Sequence, residues 1–420
     1  MEDVMKIKTG VGATTISLIT LIGIWSISAL NALPGLAVSP ILGQLTNIFP
    51  SSSELDIQML TSLPSLMIIP FVLIAGRLTE KVNNMVLLRV GLGIFLLSGI
   101  LYFLSNQMWQ LIVVSAILGI GSGLIVPLST GLISHFFVGD ERLKQFGYSS
   151  AITNLTLVIA TVVTGYLAEV NWRWPFVVYL LPALSLVLSV FLARSMKDDK
   201  NAGSTSMLVS ADRNTESTVK TKSGFMVGNL IETMILYGLG TYLNLVVVYN
   251  LPFLMEEHHF TSGNAGTMIS LFFLAIMLPG LILKPIVAKL KDTTLFFSYL
   301  SMAIGLGLIL IAPIEWLIAP GCILAGLGYG VIQPWVYEKA THMAVPKKVT
   351  MALAYIMAMN YIAILLCPFI ISFFAGLLGF SSQEFPFAFN MIITIAVAVY
   401  AWMRQKAFVF SSWETKNVSS

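Results

Sequence analysis

The sequence predicts an all-α polytopic membrane protein with twelve transmembrane helices in two six-helix bundles. Of its 420 residues, 57% are hydrophobic and only 10% are charged, whereas a soluble domain has a charged fraction near a quarter. Twelve apolar stretches reach the length of about 20 residues that a helix needs to cross a bilayer. All 23 Lys and Arg residues except Arg173 fall on one side of these stretches. Together these observations exclude a soluble fold.

The first six predicted spans cover 11–33, 56–76, 86–105, 109–137, 146–168 and 175–193. The second six cover 225–250, 265–283, 294–313, 317–337, 350–374 and 387–403. Because cytoplasmic loops retain positive charge, the side that carries the basic residues is predicted to be cytoplasmic. We therefore expect a multi-pass protein of the cell membrane with both termini in the cytoplasm.

One long polar stretch interrupts the apolar pattern between spans six and seven. It is rich in Ser, Thr, Asn, Asp and Lys, a composition that is typical of a disordered linker. The predicted organisation is an N-terminal bundle at 1–193, a cytoplasmic linker at 194–223, a C-terminal bundle at 224–403 and a cytoplasmic tail at 404–420.

The two predicted bundles share a glycine-rich repeat in spans four and ten. Three alternate glycines and a proline recur with an offset of 207 residues, as Gly119, Gly121, Gly123 and Pro127 and then as Gly326, Gly328, Gly330 and Pro334. Small residues at this density let helix backbones approach closely, so packing alone explains the motif. Its repetition indicates two parallel halves, as in secondary transporters.

The loop after span two resembles the signature G-x-L-x-D-R-x-G-R-x-x-x-L of the major facilitator superfamily. Gly76, Leu78, Lys81 and Leu88 match or nearly match it, and Glu80 stands at the Asp position. The resemblance implies the fold already predicted. It also implies that the loop gates the cytoplasmic side, with Gly76, Arg77, Glu80 and Lys81 as the residues concerned.

Two further segments extend the resemblance to the drug/proton antiporter branch of that superfamily. The W-R-W-x-F pattern at Trp172, Arg173, Trp174 and Phe176 places Arg173 in an outer-loop motif, and the segment ending at Arg142 is similar to the corner between spans four and five of drug exporters. Gating roles for Arg142 and Arg173 follow from this likeness. Antiporters usually carry a buried Arg in span four, where this chain has Ser115.

Glu232 is the one carboxylate well inside a predicted span. A charged group near the bilayer centre costs about 2.5 to 3.5 kcal/mol on insertion scales, so its presence needs a reason. Burial disfavours the charged form of a carboxylate, which suits a group that exchanges protons. Glu232 is therefore the candidate proton-coupling residue; the alternative is a hydrogen-bonded glutamate near a helix end.

Uncharged polar residues inside the spans are the candidate substrate contacts. At 100° per residue, four residues of span seven share an arc of about 80°, which predicts a polar face that lines a cavity or makes hydrogen bonds between helices. The candidates are Asn229, Thr233, Tyr237 and Asn244 in span seven, with Asn31, Asn154, Gln333, Trp335 and Asn360 in other spans.

The predicted function is secondary active transport of a small amphiphilic organic solute by alternating access, with proton-coupled efflux favoured. Uptake of a neutral solute and lipid flipping stay open as alternatives. An intramembrane enzyme is disfavoured because the spans contain no H-E-x-x-H motif or paired catalytic residues. We expect a monomer in the bilayer that binds its solute and protons, with no cofactor, metal or nucleic acid.

Overall fold

The computed structural model describes residues 6–8, 15–78, 82–137, 139–201, 225–312, 315–344 and 349–411. In these ranges the N-terminal part of the chain forms α1 (Leu18–Leu30), α2 (Leu33–Leu36), α3 (Leu42–Ile48), α4 (Glu54–Leu78), α5 (Asn84–Leu104), α6 (Met108–Phe136), α7 (Gly139–Val170) and α8 (Pro182–Asn201). The C-terminal part forms α9 (Val227–Glu257), α10 (Ser262–Leu281), α11 (Leu283–Leu290), α12 (Thr294–Leu310), α13 (Glu315–His342), α14 (Val349–Leu378) and α15 (Phe385–Met403).

Eleven helices in the described ranges are long and apolar enough to cross a membrane, and a bent pair supplies a twelfth span. The bent pair joins Leu18–Leu30 to Leu33–Ile48 at an angle of 42°. The predicted fold class, an all-α membrane protein with twelve spans, is therefore confirmed.

The first span differs from the continuous stretch predicted at 11–33. Lys6–Lys8 (β1) and Thr15–Ser17 (β2) form an antiparallel pair, and α1 starts only at Leu18, where the Ser17 hydroxyl accepts a hydrogen bond from the Thr20 amide at 3.2 Å. The span then breaks at Pro34 and Gly35. Gly35 has a φ of 88°, and a side chain there would overlap the Thr61 carbonyl oxygen.

The end of the sixth span also differs from the prediction. The chain enters this span through a 3-10 helix at Trp174–Leu180. The following helix, α8, continues to Asn201, so the first residues assigned to the polar linker, 194–201, are helical. The rest of the predicted linker lies outside the described residues, as do the last residues of the tail.

The glycine repeat packs in the same way in both halves of the sequence. Side chains on Gly119 or Gly123 would collide with α4, and one on Gly121 would collide with α5. In the second half, Gly326 and Gly330 meet the backbone of α10 and Gly328 meets α12. Close helix packing, the simpler of the two explanations, is therefore what these glycines provide.

The chain forms two compact units. The first contains α1, α2, α5, α6, α8 and most of α4 and α7. The second contains α9 to α15 together with two segments from the first half of the sequence, Ser39–Gln58 and Thr161–Trp172. The second unit therefore combines residues from both predicted bundles.

Candidate functional site

Six uncharged polar side chains meet inside the second unit, where α9, α13 and α14 pack together. We call them the tyrosine cluster: Tyr237, Thr241, Tyr329, Gln333, Tyr337 and Asn360. Residues four apart lie on one face of a helix, so α9 contributes its two members side by side and α13 contributes its three. Thr241 and Tyr329 were not among the predicted candidates, although the four-residue spacing from Tyr237 and Gln333 indicates both.

Hydrogen bonds connect the members of the tyrosine cluster. The hydroxyls of Tyr237 and Tyr337 are 3.1 Å apart, and Gln333 Nε2 donates to the Tyr337 hydroxyl at 3.5 Å. Thr241 Oγ1 donates to Asn360 Oδ1 at 3.3 Å and lies 3.0 Å from the Tyr329 hydroxyl. Because the threonine has one proton to donate, Tyr329 is the donor in that last contact.

The members of the tyrosine cluster differ in how far they are buried. Tyr237, Thr241 and Tyr329 are buried, whereas Gln333, Tyr337 and Asn360 are half-buried. Tyr237 lies ten residues into α9, about 15 Å along a helix that rises 1.5 Å per residue, inside a stretch that is long and apolar enough to cross a membrane. The arrangement offers hydroxyl and amide groups beside aromatic rings within membrane-spanning helices.

Other candidates from span seven lie on the same side of α9. Thr233 is buried, with its hydroxyl 3.5 Å from the Met343 sulfur. Asn244 is also buried, and its Oδ1 has no hydrogen-bond partner among the described residues. Asn229, nearer the start of the helix, is half-buried. The predicted polar face therefore exists, and its central part contributes to the tyrosine cluster.

Glu232 lies on the other side of α9 and does not join the cluster. Its carboxylate accepts a hydrogen bond from the Tyr400 hydroxyl at 2.8 Å and pairs with Arg404, whose Nη2 is 3.2 Å from both carboxylate oxygens. Arg404 was predicted to belong to the cytoplasmic tail, so this pair was not predicted. The start of span seven and the end of span twelve are predicted to lie on the same side of the membrane. This order of the spans was the one sequence signal that the two residues could lie at the same depth.

A smaller polar group lies in the first unit, at the break in the first span. Asn31 Nδ2 donates to Ser129 Oγ at 3.1 Å, and Thr153 Oγ1 donates to the Ser28 carbonyl at 2.9 Å. Asn31 Oδ1 is buried and has no partner among the described residues. The other asparagine predicted in this half, Asn154, is half-buried and donates to the Ser150 carbonyl of its own helix.

Trp335 lies away from the tyrosine cluster, against the segment that follows α15. Its indole Nε1 donates to the Val409 carbonyl at 3.2 Å. One turn further along α13, Lys339 Nζ donates to the Phe408 carbonyl at 2.8 Å and lies 4.8 Å from the centre of the Phe408 ring. The last part of the described chain is therefore fixed to α13.

The structure describes some of the predicted gating residues but not all of them. Gly76 and Arg77 belong to the last turn of α4, and Arg142 belongs to α7, whereas Glu80 and Lys81 lie outside the described residues. Arg173 donates a hydrogen bond from Nη2 to Asn106 Oδ1. Its neighbour Trp172 packs edge-on against Phe49, with ring centres 5.4 Å apart.

Segments from both halves of the sequence meet at the end of the second unit that carries Glu54, Glu169 and Glu256. We call this contact the acidic-end seam. It brings Ser39–Gln58 and Thr161–Trp172 against the end of α9 and the start of α10. Side chains on Gly43 or Gly266 would overlap the carbonyl oxygens of Pro252 and Thr161, respectively.

Polar contacts flank the glycines of the acidic-end seam. Gln44 accepts a hydrogen bond from the Ser262 hydroxyl at 3.3 Å and donates to the Ala168 carbonyl at 3.2 Å. Asn47 donates to Glu256 Oε1 at 2.6 Å on the exposed rim. The seam thus has close glycine contacts with a polar border, beside buried apolar side chains of α3 and α9.

Twelve spans, the same glycine packing in both halves of the sequence and a polar cluster inside the membrane-spanning helices are typical of a multi-pass membrane transporter. The sequence profile described as Major Facilitator Superfamily matches residues 16–344 and 233–409. The chain belongs to this superfamily of membrane transporters, as the loop and W-R-W motifs predicted.

Curated relatives match over part of the chain. The multidrug transporter protein MdtP of Bacillus subtilis (strain 168) is 29% identical over 170 residues, which are 40% of this chain and 30% of that protein. The quinolone resistance protein NorA of Staphylococcus aureus (strain MRSA252) is 30% identical over 145 residues, which are 34% of this chain and 36% of NorA. The matched stretch therefore spans about a third of each relative.

Solved structures match over nearly the whole chain. A crystal structure of the peptide transporter POT in complex with sulfate has a TM-score of 0.70 at 13% identity and covers 94% of this chain and 96% of its own. The D-xylose-proton symporter has a TM-score of 0.65 at 15% identity, with 92% and 96% covered. At this level of identity the likeness supports the fold alone.

Proposed function

We propose that this protein exports a small amphiphilic organic solute by alternating access, using the proton gradient. The acidic-end seam is the observation that carries this proposal. Segments from both halves of the sequence close on one another there through close glycine contacts and a border of hydrogen bonds, so opening of this contact would separate the two halves of the sequence at that end. Rocking of two halves around a midplane site is the recurrent mechanism of this architecture.

The tyrosine cluster supports an amphiphilic cargo. Its members are uncharged, and its aromatic rings and polar groups match the mixture expected of a small-molecule site, in which apolar walls carry a few orienting hydrogen bonds. One curated relative is named a multidrug transporter and another a quinolone resistance protein. These names favour export of such compounds over uptake. A panel of amphiphilic dyes and antibiotics, tested in a host stripped of its own exporters, would identify the cargo.

The seam can be tested by holding it closed. In a variant with Gln44→Cys and Ser262→Cys, a short crosslinker should stop transport, and cleavage of the crosslinker should restore it. The two single-cysteine variants, treated in the same way, provide the control, since both native cysteines are buried. Unimpaired transport in the crosslinked protein would contradict the proposed movement.

Proton coupling is proposed to depend on Glu232. When a proton neutralises this carboxylate, the ion pair with Arg404 is lost, so protonation state and the hold on the end of α15 are linked. Glu232→Gln should abolish flux driven by a pH gradient in reconstituted vesicles while insertion and folding are retained. Unchanged pH-driven flux in this variant would remove Glu232 from the mechanism.

The proposed setting is the cell membrane, with a monomer as the working unit and both termini cytoplasmic. The distribution of Lys and Arg supports this orientation. A single cysteine placed at Ser206 should then be labelled by an impermeant reagent only from the cytoplasmic side. Labelling from outside would invert the proposed direction of every loop.

A further inference from the structure

A groove runs along the second unit between the first half of α9 and the second half of α15. Its volume is about 730 Å³. Gly228, Ile235 and Leu239 line one wall, Ile392 and Ala396 line the other, and Glu232, Tyr400 and Arg404 form the polar end. We infer that this groove binds one anionic phospholipid, with an acyl chain between the helices and the phosphate against Arg404.

The length of the groove matches one leaflet of a bilayer. From the polar end, Glu232 and Leu239 are separated by about 10 Å along α9, and Arg404 and Ile392 by about 18 Å along α15, at 1.5 Å per residue. Half of a hydrocarbon core about 30 Å thick is about 15 Å. A lipid whose headgroup lies beside Arg404 would therefore extend its chain along the whole groove.

The walls of the groove suit an acyl chain. Ile231, Ile235 and Ile392 leave 51%, 59% and 64% of their surfaces uncovered by the described part of the chain. A side chain on Gly228 would meet no atom within 4 Å, so the wall is open at that point. In a membrane-spanning segment, such a concave apolar surface is filled by hydrocarbon.

The polar end of the groove is suited to an anion. The Arg404 side chain is 48% exposed, and its contacts with Glu232 use Nη2 alone, whereas a guanidinium has five N–H donors. Arg404 therefore has donors that can reach a phosphate, which arginine binds well. Lys406, two residues further on, is exposed and adds a second positive charge.

The balance of charge favours a lipid over a cationic amphiphile. Glu232 is the acidic member of the polar end, and Arg404 already neutralises it. The segment 404–411 carries two basic residues and no acidic one, so with Glu232 neutralised by Arg404 this segment keeps the positive charge of Lys406. Anionic lipids are abundant in the cytoplasmic leaflet, and each Lys or Arg near that surface contributes to their attraction. The predicted orientation places this end of the groove at that leaflet.

The full-length protein, purified in mild detergent, can be tested by native mass spectrometry. Phosphatidylglycerol, phosphatidylcholine and phosphatidylethanolamine with identical acyl chains serve as the probes. We expect phosphatidylglycerol to be retained preferentially. Arg404→Gln should reduce that retention about tenfold or more, because it removes charge-assisted hydrogen bonds. The matched control is Arg89→Gln, since Arg89 donates to Ser189 within the first unit and does not line the groove.

A second variant tests the apolar half of the site independently of the charge. Ile235→Trp fills the groove from α9 and should lower retention of every lipid, while Arg404→Lys should preserve the preference for phosphatidylglycerol. Equal retention of the three lipids, or retention unchanged in both Arg404→Gln and Ile235→Trp, would overturn the inference. Displacement of the lipid by a cationic amphiphile, with no preference among lipids, would overturn it as well.

Discussion

Gly165 of α7 and Gly266 of α10 lie back to back, so close that a Cβ on either residue would be 3.2 Å from the Cα of the other. The same Cβ on Gly266 would overlap the Thr161 carbonyl oxygen. The two backbones are therefore in direct contact, and no larger residue fits without moving one helix. This contact forms the centre of the acidic-end seam.

Gly266→Ala should force the acidic-end seam apart. Because overpacking costs about 1 to 3 kcal/mol, we expect a lower melting temperature and faster maleimide labelling of a cysteine introduced at Ser262. Gly280→Ala is the matched control on the same helix, since its added Cβ meets nothing within 4 Å. Equal labelling in the two variants would show that the seam does not depend on this contact.

Tyr337→Phe should weaken cargo binding with a small loss of stability. The substitution removes the hydroxyl that meets Tyr237 and Gln333, and one hydrogen bond contributes about 1 kcal/mol, which corresponds to about a fivefold change in affinity. Tyr299→Phe is the control, because its hydroxyl donates to the Leu236 carbonyl outside the cluster. If both variants bind the cargo equally well, the tyrosine cluster is not the binding site.

Asn31→Leu, in the first unit, should lower cargo affinity while changing the free energy of unfolding little. The change loses the bond to Ser129 but also removes a buried oxygen that has no partner among the described residues, so the two effects on unfolding free energy oppose each other. We expect stability to change by less than about 1 kcal/mol and cargo affinity to fall. Thr156→Val, which loses a bond within its own helix, should leave affinity unchanged; equal affinities in both variants would exclude Asn31 as a contact.

Lys339→Met should release the segment after α15. The substitution removes the donor to the Phe408 carbonyl and the contact with the Phe408 ring. Limited trypsin digestion should then cut faster after Arg404 and Lys406 than in the parent protein. Lys289→Met, at an exposed position, is the control. An unchanged rate of cleavage would indicate that Trp335 and the buried Val409 suffice to hold the segment.

The number and type of the spans could be predicted because hydrophobicity and loop charge are properties of consecutive residues. The glycine repeat was equally visible, since its fixed offset survives in the sequence. The partner of Glu232 was not predicted, because Arg404 is far away along the chain and only packing of α9 against α15 brings the two together. The second half of the first span was missed for another reason: the predicted span ended at residue 33, just before Pro34 and Gly35, whereas the chain bends there by 42° and continues in helical form to Ile48.

Within the candidate site, helical spacing predicted the face of α9 that carries Tyr237. It did not separate Trp335 from its neighbours Gln333 and Tyr337, which lie on a different side of α13. Consecutive positions in a helix differ by about 100°, so a polar residue two places away belongs to another environment. Residue type alone therefore overestimates the site, and facing residues on a second helix are needed to define it.

The alternating glycines of α6 and α13 have a mechanical consequence. With backbone against backbone on two sides, neither helix can slide past its neighbours without steric overlap. We therefore expect α4, α5 and α6 to move as one rigid body, and α10, α12 and α13 as another. Bending would then concentrate in segments that lack such contacts. A displacement of one helix in such a rigid body would therefore move the other two helices with it.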